Sequence, residues 1–219
     1  MNINFQKARE LMVENQLRPN KINDPIILDL FKEIRKEDFL PEELKDISYI
    51  DSDSQLHQHR GYLKNLHLAQ LINSAAISHN HKILHIGGMT GYVSVILANL
   101  CKKLVVIENE TDLITIMEKN IQKLNIKNIN IVKSSFQLGY DKDSPYDVIF
   151  IDNPIEEISS SIKNQLNSNS GKIIMIVKTS NKLCKAFKLT KNNNNYTSEF
   201  LFDVFTEYEL YKNIKGFIF

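Results

Sequence analysis

The sequence predicts an α/β fold with a mainly parallel sheet, closed by an antiparallel hairpin. The first observation is alternation. Apolar runs near 82–87, 103–108, 129–134, 146–152 and 171–178 are separated by helical patterns near 91–100, 111–125 and 156–166. Strand and helix recurring at this spacing make a parallel sheet with helices on both faces. The second is a change of pattern after Thr179. Segments 182–191 and 196–205 flank the run Asn192–Asn195, which reads as an antiparallel hairpin turn. Gly216-Phe217-Ile218-Phe219 reads as a last short strand, and no internal repeat is visible.

The elements follow in order. Residues 1–65 lack strand alternation and read as a helical extension ending in a loop. Phe5 to Leu17 has helical spacing, interrupted by Pro19. Asp24-Pro25 is an N-cap followed by proline at the first helical position, and Ile26 to Ile34 supplies the apolar face. Phe39 to Leu44 starts another short helix. Segment 48–62 is polar and irregular, which makes it the expected substrate loop. Leu66 to Ile77 is a further helix and opens the second unit, 66–219.

The stretch 82–92, KILHIGGMTGY, carries the chemistry. An apolar strand runs into Gly87-Gly88-Met89-Thr90-Gly91, and a helix follows at once from Tyr92. Such a turn aims backbone N–H groups and the positive end of a helix dipole at a nucleotide-like ligand. A second apolar strand, Leu104 to Ile107, ends in Glu108, about twenty residues on. An acid there accepts hydrogen bonds from the ribose hydroxyls of an adenosine. The plainer alternatives are a tight βα turn and a solvated strand-end acid, with Asn109 as a turn residue beside it.

Composition excludes several classes. With 27 basic and 26 acidic residues, the charge gives no support to nucleic-acid binding. No apolar run approaches the ~20 residues of a membrane span, and no signal-like segment opens the sequence, so a cytoplasmic location is expected. Cys101 and Cys184 are far apart and read as buried reduced thiols. All six histidines fall between 57 and 85, without the spacing of a zinc site, and no metal is expected.

Further motifs point to a family. Met12-Val13-Glu14-Asn15-Gln16-Leu17-Arg18 is similar to an N-terminal MVExQLR segment, and Arg35 through Leu44 to PREEFVPEEL. Residues 82–92 match a VLEIGTGSGY turn, Val105 through Glu108 the strand end VVSIE, and Ser144 through Ile149 an APFDAI segment. In these segments the chain resembles the protein-L-isoaspartate O-methyltransferases, most of all their short bacterial relatives, over nearly its whole length. The resemblance implies a Rossmann-like, seven-stranded methyltransferase fold whose unit 66–219 binds S-adenosylmethionine. It implies a protein or peptide partner containing isoaspartyl residues, whose carboxylate takes the methyl group in protein repair. It implies cofactor contacts from His85, Gly87, Gly88, Gly91, Glu108, Asn109, Ser135 and Phe136, the last by stacking on adenine.

The chain also departs from the pattern. Alignment on the following helix sets His59 through Asn65 over the family's GQTISQP segment, with Gly61 at the threonine and Leu63 at the serine that matters for activity. The neighbouring Tyr62 can supply a hydroxyl, and Arg60 can pair with a substrate carboxylate. Met89 replaces the middle glycine of the turn, at a cost of ~1 kcal/mol if the position needs positive φ; a shifted turn built on Gly87-Gly88 is the other reading. His85 stands where the family has an acid, and Ser135 where it has an aspartate. Asp152-Asn153-Pro154, after the fourth strand of the parallel sheet, resembles methyltransferase motifs faintly and reads first as a structural turn. Three functions therefore stay open: isoaspartyl methylation, methylation of another acceptor, and a cofactor-binding or scaffold protein whose site has decayed. A nicotinamide dehydrogenase is disfavoured because the turn is not GxGxxG.

Overall fold

The structure is a computed structural model that describes residues 3–180, 182–193 and 195–211. The expected last strand, 216–219, lies outside the described residues. The N-terminal part is helical, as the spacing predicts. Helix α1 (Phe5–Met12) is capped by the Asn4 side chain, and α2 (Pro25–Glu33) by Asp24, whose carboxylate accepts from the Ile26 and Ile27 amides. Helix α3 (Glu42–Lys45) is a single turn, and α4 (Asn65–Ala75) leads to the sheet.

The expected irregular loop at 48–62 is ordered by pairing. Strands β1 (Ser54–His57) and β2 (Arg60–Tyr62) form a small antiparallel hairpin, with Ser54 opposite Tyr62. Its second strand is buried throughout, so the segment points into the protein.

The main sheet has seven strands in the order β5-β4-β3-β6-β7-β8-β9. They are β3 (Lys82–Ile86), β4 (Lys103–Glu108), β5 (Ile129–Lys133), β6 (Val148–Phe150), β7 (Asn169–Lys178), β8 (Leu183–Asn192) and β9 (Asn195–Phe205). Pairing is parallel from β5 through β7 and antiparallel for β7–β8 and β8–β9. The asparagine run makes the predicted turn: Asn192 pairs with Asn195, and Asn193 takes a φ of 55°. Strand order reverses at β3, and in open α/β sheets ligands bind beyond the strand ends at such a reversal.

Side chains alternate between two cores, as period two requires. Ile83, Leu104, Val106, Val148, Phe150 and Ile174 face one core. Leu84, Val105, Ile107, Ile149 and Ile173 face the other. Helices α4, α5 (Tyr92–Leu100) and α6 (Thr111–Lys123) bury their apolar faces in the first core. The second is covered by loops and by α7 (Ser160–Asn164), which is much shorter than the predicted 156–166. Two local bonds explain the shortening. Ile155 is held extended against β7, its amide donating to the Ile176 carbonyl, and Ser159 caps the helix from its side chain. Among the described residues no helix is long and apolar enough to cross a membrane.

Candidate functional site

The predicted turn lies where the sequence puts it, between β3 and α5 at the carboxyl edge of the sheet. Four of its five amides make internal bonds. The Gly87 and Gly88 amides both donate to the Ile107 carbonyl, the Gly91 amide to the Gly88 carbonyl, and the Met89 amide to Glu108 Oε2. The first amide of α5, Tyr92, donates to the Tyr62 hydroxyl at 3.1 Å. The helix N-terminus that a nucleotide would use is thus already occupied by a side chain of the hairpin.

Glu108 ends β4 and is fully buried. Its Oε1 accepts from the Asn109 and Glu110 amides and from Arg60 Nη2 at 2.8 Å; its Oε2 accepts from the Met89 amide and from Arg60 Nη1 at 3.1 Å. A carboxylate offers about four lone-pair positions. Five donors already share them, so none is left for ribose hydroxyls. Arg60 is only 3 % exposed, and its guanidinium carbon lies 5.0 Å from the centroid of the buried Phe136 ring. The two groups expected to hold an adenosine, the acid for the ribose and the ring for the base, therefore both hold Arg60.

Gly87 has a φ of 91°, which favours glycine, and it also has a neighbour that needs the space. A β-carbon there would come within 2.5 Å of Leu210 Cδ1. Leu210 is buried, and its amide donates to the Pro154 carbonyl at 2.7 Å. Gly88 and Gly91 pack against Met117 of α6. These glycines admit other parts of the same chain. In this conformation the residues do not fit an S-adenosyl group: its acid is saturated, its ring is covered, and its turn is capped by Leu210 and Tyr62.

The remaining predicted residues fall in three places. His85 is buried, with Nδ1 2.9 Å from Ser94 Oγ and Nε2 3.4 Å from Asp152 Oδ1. Asn109 and Ser135 are exposed; Ser135 Oγ lies 3.4 Å from Gln137 Oε1. Tyr62 and Leu63 are in the core rather than at a substrate surface. Burial and the nearby carboxylate of Asp152 push the Tyr62 phenol well above its ordinary range, and its hydroxyl pairs with Thr90 Oγ1 at 2.8 Å. Arg60, expected at a substrate carboxylate, is bound to the chain's own Glu108 instead. Asp152 and Asn153 are buried, and Asn153 ties this edge to the hairpin by exchanging two bonds with the Gly61 backbone. Sequence reasoning missed Leu210 entirely and did not foresee the Arg60–Glu108 pair. The apolar Tyr62 and Leu63 beside Arg60 were the available sign that this segment turns inward.

Met89 does sit at positive φ, 55°, and its side chain is fully buried in the larger core. The left-handed backbone costs ~1–2 kcal/mol, whereas truncating a buried methionine costs ~2–5 kcal/mol. Met89→Gly is therefore expected to lower stability by about 2 kcal/mol, the middle of the ~0–4 kcal/mol difference between those two effects. Urea unfolding measures it; a stabilised variant would show that strain outweighs packing here.

The comparisons with known proteins agree with this architecture. Residues 6–204 match the sequence model of the family "Protein-L-isoaspartate(D-aspartate) O-methyltransferase (PCMT)". Protein-L-isoaspartate O-methyltransferase 1 of Syntrophobacter fumaroxidans is 29% identical over 175 residues, covering 80% of this chain and 81% of that one. The Rhodopseudomonas palustris protein of the same name is 25% identical over 189 residues, covering 86% and 77%. Among solved structures, a protein-L-isoaspartate O-methyltransferase superposes with a TM-score of 0.79 at 22% identity, over 91% of this chain and 65% of that one. A Plasmodium falciparum chain described as a member of the same group, in complex with S-adenosyl-L-homocysteine, gives 0.76 at 18% identity, over 97% and 100%. These two show the shared fold. The family match spans nearly all of the sequence, both sheet and helical extension, and the chain belongs to the protein-L-isoaspartate O-methyltransferase family, whose methyltransferases depend on S-adenosylmethionine.

Proposed function

We propose that this chain methylates the carboxylate of isoaspartyl residues in proteins or peptides, from the edge formed by Gly87–Gly91 and Glu108, and that it does so slowly. What supports the site is Glu108: an acid at the end of β4, beside the first βα turn, where strand order reverses. S-adenosylmethionine supplies the methyl group in this family. An ionised carboxylate is already nucleophilic at neutral pH, so the chain needs no general base; its task is to position the acceptor and exclude water. The slowness follows from two features. Leu63 is apolar and 1 % exposed, and the Tyr62 hydroxyl is engaged by Thr90 and Tyr92, so neither donates to an acceptor. Loss of one positioned donor costs ~10²–10³ in rate where it stabilises developing charge. A cytoplasmic location belongs to the same reading.

The test is transfer of labelled methyl from S-adenosylmethionine to an isoaspartyl peptide, with the aspartyl isomer as control. Weak transfer to the isoaspartyl peptide alone is the expected result. Robust transfer would show that backbone groups position the acceptor unaided. A second reading, a family member that has lost transfer and serves as a binding or scaffold protein, is favoured by the buried Arg60–Glu108 pair. It requires no transfer to either peptide at any enzyme concentration.

A further inference from the structure

We propose that the β1–β2 hairpin and the strap Thr206–Leu210 form a built-in plug of the cofactor cleft, with the Arg60 guanidinium standing in for the adenosine. The inference rests on reading this edge as the cofactor site and adds how access to it is controlled.

The plug has two parts, and each is fixed at more than one point. Arg60 makes a bidentate pair with Glu108 and lies over Phe136. A planar cation bound by a carboxylate on its edge and an aromatic ring on its face satisfies both surfaces at once. The hairpin that carries Arg60 is anchored by Asn153 through the two Gly61 bonds, of 3.3 and 3.2 Å. The strap then crosses over it. The Glu209 amide donates to the His59 carbonyl at 3.0 Å, and Leu210 sits on Gly87. Tyr208 covers Gly61, where a β-carbon would lie 2.7 Å from its ring. Glu209 adds an ion pair to Lys178 at the end of β7. Hairpin and strap thus hold each other down, and a nucleoside reaches Glu108 and Phe136 only when Arg60 leaves. A ligand binding only the open form has its apparent affinity reduced by the fraction of molecules that are open.

Removing Arg60 does not strand its partner. Glu108 keeps the Met89, Asn109 and Glu110 amides, so the carboxylate remains hydrogen-bonded in the variant. The experiment is calorimetric titration of S-adenosylhomocysteine into the parent, Arg60→Ala and Leu210→Ala, each checked for folding by circular dichroism. Amide hydrogen exchange of the parent is followed with and without the same ligand. Arg60→Ala should bind at least tenfold more tightly than the parent, and Leu210→Ala should shift in the same direction by less. Saturating ligand should expose the amides of 54–62 and 206–210 to exchange. Equal affinity in parent and variants, or unchanged protection of both segments with ligand bound, overturns the plug and leaves the cofactor reading standing. No binding by any folded variant overturns the cofactor reading and the plug with it. If Arg60→Ala does not fold, Leu210→Ala and the exchange pattern decide by the same criteria.

Discussion

Glu108→Ala is expected to destabilise the protein by about 3–5 kcal/mol, the usual cost of leaving a buried charge without its partner. The bereft group is Arg60, 3 % exposed, whose guanidinium also lies over the Phe136 ring. The reverse deletion is milder. Arg60→Ala leaves Glu108 with three backbone donors, from Met89, Asn109 and Glu110, so its carboxylate remains solvated by the fold. Urea unfolding of both variants should therefore show a clear asymmetry, Glu108→Ala being the worse by about 2 kcal/mol or more. The double variant should lose less than the sum of the two, because removing Arg60 cancels the penalty that Glu108→Ala creates. In ligand titrations the two changes should have opposite signs: Glu108→Ala abolishes S-adenosylhomocysteine binding, whereas Arg60→Ala strengthens it. Equal destabilisation by both single changes would mean that the pair does not hold a buried charge as the geometry indicates. Undiminished ligand binding by Glu108→Ala would remove the ribose role of this acid.

The strands were legible because period two along each run matches burial on both faces, as Ile83 and Leu84 or Val105 and Val106 illustrate. The position of Glu108 was legible because it depends only on the local β3–α5–β4 unit. The identity of its partner was not. Arg60 lies 48 residues away in a segment without strand alternation, and its pairing is fixed by the Asn153–Gly61 bonds and by the strap, which are long-range. Leu210 comes from beyond the last strand, and an isolated leucine carries no signal of what it covers. The glycine turn shows how one pattern serves two masters. Glycine at 87 suits a bound cofactor, and it suits Leu210 equally well. The stretch 156–166 is compatible with helix throughout; the extended pairing of Ile155 with Val177 delays the start of α7 to Ser160, with Ser159 as its cap.

The other large effect concerns Lys36, which lies in the Arg35–Leu44 motif but carries no role in the sequence reading. Its side chain is fully buried, with Nζ 3.1 Å from the neutral Asn65 Oδ1 and 5.9 and 5.7 Å from the Tyr62 and Tyr92 ring centroids. Desolvation dominates and moves its pKa from the ordinary 10.5 down to about 7, against a weaker opposing pull from Asp53. Here the folded pKa lies below the unfolded one. Between pH 7 and 10.5 the unfolded chain therefore binds more protons, and stability rises with pH across that window. Below pH 7 the cost of burying the charge is present in full. Lys36→Met, close in volume and without the charge, is expected to gain about 1–4 kcal/mol at pH 6. That advantage should shrink by about 1 kcal/mol per pH unit between pH 7 and 9, since one pKa unit is worth 1.36 kcal/mol. The unpartnered Asn65 carbonyl costs the variant ~1–3 kcal/mol at every pH, which offsets the gain but cannot produce its slope. Urea unfolding of both proteins at pH 6, 7.5 and 9 measures the difference. A gap that does not change with pH would show that Lys36 keeps the same protonation state folded and unfolded. Because Tyr62 and Tyr92 sit above this lysine and Tyr62 caps α5, a neutral residue at 36 should leave the Thr90–Tyr62–Tyr92 bonds in place. The variant is thus expected to gain stability without opening the turn, and its affinity for S-adenosylhomocysteine should stay within about twofold of the parent's, a difference of ~0.4 kcal/mol.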